Sequence, residues 1–362
     1  MDITEKITAI LSQYDLGELV SFEKDERGTV NTSFATDCIR DGVDCRYFLR
    51  QYKRGIKEEE LLFEHSLIRR LLAKGTPPVA RVHQTWTGET YLQKSWDGEE
   101  PLFYAVFDFL GGEDRYTWVD PHCTPLEVQR SAETLAQFHA SVSDFSPQGR
   151  RVEPEILDLL PRVAGLVGLA PWMGRGTVFD AHLLENLPLI QDEIDNTILV
   201  LDQPASKLMP RLVIHCDFHP GNLKFLGDEV AGVFDFDWSK IDYRSFDVAL
   251  AVFYFLTHWE DSLDGSLDLE LLRIFLNAYQ SECRRAQAVP PLNETEFHYL
   301  PAMIQAGNLY VLNWTLLDYY NKSVDPVEYL SYLKHAVETI RWFAVPANLA
   351  SLREILNLTT SP

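Results

Sequence analysis

Apolar and β-branched residues alternate with polar ones through most of the first hundred positions. ELVSFEKD (18–25), NTSFATDCI (31–39), CRYFLRQYK (45–53), ARVHQTWTGETYLQKSW (80–96) and LFYAVFDFL (102–110) keep this period of two, which predicts strands. Asp41-Gly42 and Thr87-Gly88-Glu89 supply turns between them. KEEELLFEHSLIRRLLAKG (57–75) has helical spacing instead, with an acidic start and a glycine stop. The first twenty residues read as an amphipathic helix bearing acids. After GGED (111–114) the pattern turns helical, in stripes over 125–142, 181–202, 267–286, 297–321 and 327–344. One exception is a strand pair about Gly227-Asp228-Glu229, made by NLKFL (222–226) and VAGVFDFD (230–237). The fold class expected is α+β: a small β-rich N-terminal lobe with one long helix, over 1–108, and a larger, mostly helical lobe over 109–362.

A length of 362 residues agrees with two lobes and leaves ample chain for a core. The start of the chain lacks the basic-then-apolar pattern of a secretory signal. The longest apolar run, Val248 to Leu256, is far shorter than the ~20 residues a bilayer requires. A soluble, cytoplasmic protein with no membrane partner is expected. The five cysteines (38, 45, 123, 216 and 283) form no C-x-x-C pair, which argues against a disulfide framework or a zinc site. Cys38 and Cys45 flank the 40–44 hairpin, where they could face each other as reduced thiols. A net charge of −22 disfavours nucleic acid as a partner; it is compatible with a cationic small substrate, although acidic surfaces usually serve solubility.

The chemistry concentrates in HCDFHPGN, residues 215–222, which follows the apolar run Leu212-Val213-Ile214. Pro220-Gly221-Asn222 would suffice to turn the backbone, so His215 and Asp217 ask for a further reason. Asp217 at a strand end, Asn222 five residues on and Asp235 after a tight hairpin can converge on one point. Amide and carboxylate oxygens are hard ligands suited to Mg²⁺, and a second carboxylate outside the metal shell can take a proton from a hydroxyl.

HCDFHPGN followed by GVFDFDW resembles the H-x-D-x-x-x-x-N loop and the Asp-bearing hairpin of the protein-kinase-like fold. More narrowly it resembles the aminoglycoside phosphotransferase and choline kinase branch, including its homoserine-kinase-like and hexosamine-kinase-like members. The resemblance implies ATP and Mg²⁺ as cofactors and, as acceptor, a hydroxyl of a small molecule of the amino-alcohol, sugar or aminoglycoside class. Asp217 would accept or orient the hydroxyl proton, with Asn222 and Asp235 on the metal. His215 and Asp247 would organise the catalytic loop. Arg50, in the place of the third-strand cation, would hold the nucleotide phosphates with Glu64 as its helix partner; Lys53 is the competing choice. Gly28, Asn31, Thr32 and Ser33 would form the turn over the nucleotide, where an ordinary hairpin is an equal explanation. Backbone groups near Asp108, Phe109 and Leu110 would meet the adenine edge. His139 is expected to be structural, and Cys216, in place of a small residue, a buried inert thiol.

No Gly-Lys dipeptide exists for a P-loop, and neither H-E-x-x-H nor G-x-S-x-G occurs. A stress-response-type Ser/Thr protein kinase shares these motifs, but the stretch from Asp235 to Asp247 is too short for a broad peptide platform. A pseudokinase would have no physical need of Asp217, Asn222 and Asp235 together. For the acceptor, Tyr310, Asn313 and Trp314 can share one helix face. Their aromatic and amide groups suit an ammonium or a sugar ring, and plain core packing explains the two aromatics at least as well.

Overall fold

The computed structural model describes residues 2–25, 30–259 and 261–360. The chain separates into two compact units. The first is Met1–Glu113 together with Ser146–Arg151 and Ala231–Asp237; the second holds the remainder.

The first unit opens with α1 (Ile3–Leu11), closed at its N-terminus by a reciprocal Asp2–Glu5 capping box. β1 (Glu18–Asp25), β2 (Thr32–Arg40) and β3 (Val43–Gln51) form an antiparallel meander. Asp41 (φ 52°) and Gly42 (φ 77°) turn the β2–β3 hairpin, both left-handed as a two-residue type I′ connection requires. That turn places Cys38 opposite Cys45, and both are free thiols. α2 (Glu58–Lys74) ends at Gly75 in the left-handed cap conformation (φ 76°). β4 (Leu92–Lys94) and β5 (Leu102–Asp108) complete a five-stranded sheet of order β1-β2-β3-β5-β4. Ile7, Leu11, Phe34, Leu49 and Val106 are among the residues at its core.

Of the strand-like stretches expected over 80–96 about the turn at Thr87-Gly88-Glu89, only Leu92–Lys94 is strand, a correction to that reading. Before it, backbone groups are satisfied singly: His83 N–H by Val106 O, Trp86 N–H by Gln13 O, and Thr85 N–H by Glu89 O across a turn. The alternation there serves scattered contacts, including one with the chain just after α1, and not a ladder.

The returning segments are bonded into the first unit. Arg150 N–H donates to Glu59 O at 3.1 Å and Val233 N–H to Pro78 O at 2.8 Å. Gly149 (φ 74°) lies so close that a Cβ would stand 2.0 Å from Glu59 O.

The second unit contains α3 (Pro125–Val142), α4 (Ile156–Met173), α5 (Val178–Leu201), β6 (Arg211–Ile214), β7 (Leu223–Leu226) and β8 (Glu229–Val233), whose end belongs to the first unit. β9 (Lys240–Tyr243), α6 (Arg244–Leu256), α7 (Leu269–Ala286), α8 (Glu294–Asn321), α9 (Pro326–Ala344) and α10 (Pro346–Thr360) follow. β6 pairs antiparallel with β9, and β7 with β8 in a hairpin. Every residue of α6 is buried, which accounts for the apolar run from Val248 to Leu256. At its start Arg244, fully buried, forks onto Glu296 through Nε and Nη2. Among the described residues α4 alone is long and apolar enough to cross a membrane, a test that core helices of soluble proteins also pass.

Candidate active site

In the first unit β3 carries Arg50 inward, and the residue is 8% exposed. Its Nη1 donates to Glu64 Oε1 of α2 at 3.2 Å and its Nη2 to Asp235 Oδ1 at 2.9 Å. Burial opposes the guanidinium charge, but Asp235 and Glu64 overcome it and hold the pKa above its ordinary value. Burial pushes Glu64 up to about 7 against the pull of Arg50, while Tyr52 Oη donates to its other oxygen at 2.9 Å. Arg50, Glu64 and Asp235 therefore form one polar cluster, and the Arg50–Glu64 contact is the one the family resemblance implied. The Lys53 backbone N–H donates to Asn31 Oδ1 at 3.0 Å.

The Asn31 amide donates to Asp237 Oδ2 at 2.8 Å, tying the turn before β2 to the buried second aspartate of DFD. Thr32 and Ser33 begin β2, and Gly28 lies outside the described residues. Asp108 commits its N–H to Arg81 O at 2.9 Å and its carboxylate to His83 Nε2 at 2.7 Å, so that backbone donor is taken. Phe109 is 38% exposed and its ring lies 4.6 Å from the Arg46 guanidinium; Leu110 is half-buried.

In the second unit the loop after β6 is held from below by Asp247 of α6. The Asp247 carboxylate accepts the backbone N–H of His215 at 2.9 Å and of Cys216 at 2.8 Å, and also faces His139 Nε2 at 3.0 Å. Burial lowers the His139 pKa, so the ring is neutral, with its proton on Nε2 toward Asp247 and Nδ1 accepting from Tyr279 Oη at 2.6 Å. His139 and Asp247 are thus bonded to each other, with Asp247 also on the loop backbone. Cys216 sits at φ 63°, a strained conformation for a non-glycine residue that these bonds impose. Its thiol is buried, directed at Tyr310 Oη at 3.6 Å, with its pKa raised by burial. Asp235 is the other left-handed residue of the two motifs, at φ 67°.

Asp217 projects from this loop with its side chain 19% exposed. Asn222 Nδ2 donates to Asp217 Oδ2 at 2.8 Å and to its backbone O at 2.9 Å, and Tyr254 Oη lies 3.4 Å from Oδ1. His219 Nε2 is 3.5 Å from Oδ2, while its Nδ1 accepts the Gly221 N–H at 3.0 Å. Burial alone would raise the Asp217 pKa, but His219, His215 and Asn222 bring it below the ordinary carboxylate value. The group is an anion at neutral pH. With Nδ2 committed to Asp217, the Asn222 amide presents its oxygen as the remaining donor, a hard ligand of the kind Mg²⁺ takes. Asp235 supplies a carboxylate of the same chemistry.

Of the acceptor candidates on α8, Tyr310 is buried against Cys216, Asn313 is buried, and Trp314 packs on Trp238 with ring centroids 4.7 Å apart. Sequence reasoning missed Asp237, Tyr254 and Trp118. A second acid in DFD and a lone tyrosine hydroxyl within an otherwise apolar run were the available signals for the first two. Trp118 gave none, because its neighbours in the sequence are not its neighbours in space.

The phosphotransferase enzyme family (APH) model matches residues 27–287. A homoserine kinase of Parvibaculum lavamentivorans is 28% identical over 342 residues, spanning 91% of this chain and 92% of its own. Among solved structures, a microcompartment-associated aminopropanol kinase superposes with a TM-score of 0.67 at 17% identity, over 97% of this chain and 99% of that one. An amicoumacin kinase in complex with AMP-PNP and Ca²⁺ gives 0.65 at 14% identity, over 94% of each chain. The antiparallel N-terminal sheet and helical C-terminal part are those of protein-kinase-like small-molecule kinases. The matched span contains both the Arg50–Glu64–Asp235 cluster and the Asp217 loop, and the chain belongs to the APH phosphotransferase family.

Proposed function

We propose that the protein is an ATP- and Mg²⁺-dependent kinase that phosphorylates a hydroxyl group of a small molecule of the amino-alcohol or sugar class. The observation that carries this reading is Asp217, kept anionic by Asn222 and the two histidines. Such a carboxylate orients an acceptor hydroxyl and accepts its proton as the oxygen attacks the γ-phosphorus. Arg50 binds the nucleotide phosphates, and Glu64 aims its guanidinium. Asn222 and Asp235 are the residues that would supply oxygen ligands to the metal, which when bound would neutralise phosphate charge. His215 and Asp247 fix the loop. Asn31, Thr32 and Ser33 cover the nucleotide, and the backbone at Phe109 and Leu110 borders the adenine. Tyr310, Asn313 and Trp314 form part of the acceptor side.

A small acceptor is favoured over a protein substrate because β9 and α6 begin at Lys240 and Arg244, leaving few residues after Asp235 to shape a peptide platform. The names of the homoserine kinase and aminopropanol kinase relatives point the same way. The enzyme is read as soluble and cytoplasmic, and its charge of −22 disfavours nucleic acid as a partner. The test is ADP release from ATP·Mg²⁺ across amino alcohols, sugars and aminoglycosides. Asp217→Asn keeps the shape but loses the base, so turnover is expected to fall by about 10²–10⁴-fold with KM for ATP unchanged. A variant that retains more than about a tenth of turnover at saturating substrate would remove Asp217 from this role.

A further inference from the structure

The segment between Asp114 and Glu127 is fastened to the catalytic loop at several points. Lys224 Nζ donates to Asp114 Oδ2 at 2.6 Å, and Arg115 Nη1 and Tyr116 Oη reach Glu127 at 2.8 and 2.7 Å. Tyr116 packs edge-on against Phe225. The fit at the loop itself is close, since a Cβ on Gly221 would stand 3.1 Å from the Thr117 carbonyl carbon. What this segment delivers is Trp118. Its ring packs against Tyr254 (centroids 6.2 Å), Trp259 (5.5 Å) and Tyr332 (4.7 Å). Tyr254 is the residue whose hydroxyl lies 3.4 Å from Asp217 Oδ1, so the aromatic cluster begins at the reactive carboxylate and runs outward from it.

Trp118, Trp259 and Tyr332 are only half-buried. The Trp259 Nε1–H is nevertheless buried with no acceptor among the described residues, a donor that a ligand oxygen would complete. Two acids lie beside the cluster: Glu328 accepts from Tyr332 Oη at 2.5 Å, and Asp264 pairs at 2.7 Å with His335, on which Trp259 stacks at 3.6 Å. Burial lowers the His335 pKa, so that ring brings no positive charge. Electron-rich ring faces with carboxylates beside them attract a cation and disfavour an anion.

We infer that Trp118 and its aromatic partners are the specificity-determining wall of the acceptor site, and that they select an alcohol bearing an ammonium group and no carboxylate. This rests on the kinase reading above and departs from the homoserine kinase relatives, because homoserine carries a carboxylate that the acids around this wall would oppose. The carboxylate-free cation is the substrate class the wall favours.

The experiment compares three acceptors with the full-length chain: 3-aminopropan-1-ol, its neutral isostere butan-1-ol, and homoserine. ADP release is read for wild type, Trp118→Leu and Trp118→Phe, with melting temperature as the folding control. The amino alcohol is expected to exceed both others in kcat/KM by at least tenfold. Trp118→Leu should raise its KM about 2- to 30-fold with KM for ATP unchanged, and Trp118→Phe should recover most of the loss. Preference for homoserine or butan-1-ol, or an unchanged acceptor KM in Trp118→Leu, overturns the inference. No turnover of any acceptor, alongside slow ATP hydrolysis that Asp217→Asn abolishes, overturns it while leaving the kinase reading intact. Absence of both ATP·Mg²⁺ stabilisation and ATP hydrolysis brings down the two together.

Discussion

Arg50→Met removes the guanidinium that pairs with Glu64 at 3.2 Å and Asp235 at 2.9 Å. The Asp235 side chain is 33% exposed and can regain water, whereas the Glu64 side chain, at 3%, cannot. Glu64 keeps Tyr52 Oη as a donor, so above about pH 7 the cost of the substitution falls on a buried carboxyl that must stay neutral or ionise without its cation, about 3–5 kcal/mol. The loss should depend on pH in a definite direction. Glu64 already ionises only at about 7, and Arg50 is what pulls that value down, so the variant's carboxyl stays neutral to higher pH. A carboxyl whose folded pKa lies above its unfolded one gives most stability at low pH and loses it as pH rises. At about pH 5 the group is neutral in both proteins and the deficit of Arg50→Met is small; it grows as pH passes 7 and the wild-type pair forms. Glu64→Gln removes the charge, and the double variant should recover roughly 1–3 kcal/mol relative to the sum of the singles. Urea unfolding followed by tryptophan fluorescence at about pH 5 and 8 measures all four proteins. Additive losses, or a deficit equal at the two pH values, would refute the reasoning.

Asp235→Ala should abolish the rise in melting temperature produced by ATP·Mg²⁺, since it removes a proposed metal ligand and one partner of Arg50; a shift equal to wild type places the metal elsewhere. Asp247→Ala leaves the His215 and Cys216 N–H groups and His139 without their acceptor. It should lower stability by about 1–3 kcal/mol per stranded donor and reduce kcat more than KM, which unfolding curves and steady-state kinetics check separately.

Local chemistry made much of this molecule legible in its sequence. β1 and α3 occupy the segments their periodicity marks, Glu18–Asp25 and Pro125–Val142, because each has a consistent period and clear ends. The pairing of Arg50 with Glu64 was inferable only through the resemblance of RYFLRQY and FEHSLIRRLLAKG to a family's strand and helix. The 80–96 segment misled because alternation reports which side chains face inward, not whether a neighbouring strand is present to accept the backbone. β9 is four residues long and exists by pairing with β6, so nothing local announces it. Trp118 and Asp237 are long-range in the same sense: what they do depends on Tyr254 and Asn31, each more than a hundred residues away.

The first unit takes back 146–151 and 231–237, and this bears on how the chain is born. On a ribosome the five-stranded sheet is complete in sequence by Asp108, yet the bond from Val233 N–H to Pro78 O needs residues made more than a hundred positions later. At about 5–20 residues per second that interval lasts roughly 6–25 seconds. Throughout it Pro78 O awaits its partner, and the nascent sheet depends on chaperones or on its own local stability to avoid pairing elsewhere. A fragment ending at Glu113 would be held permanently at that stage, so the boundary that looks natural along the chain is a poor place to cut it.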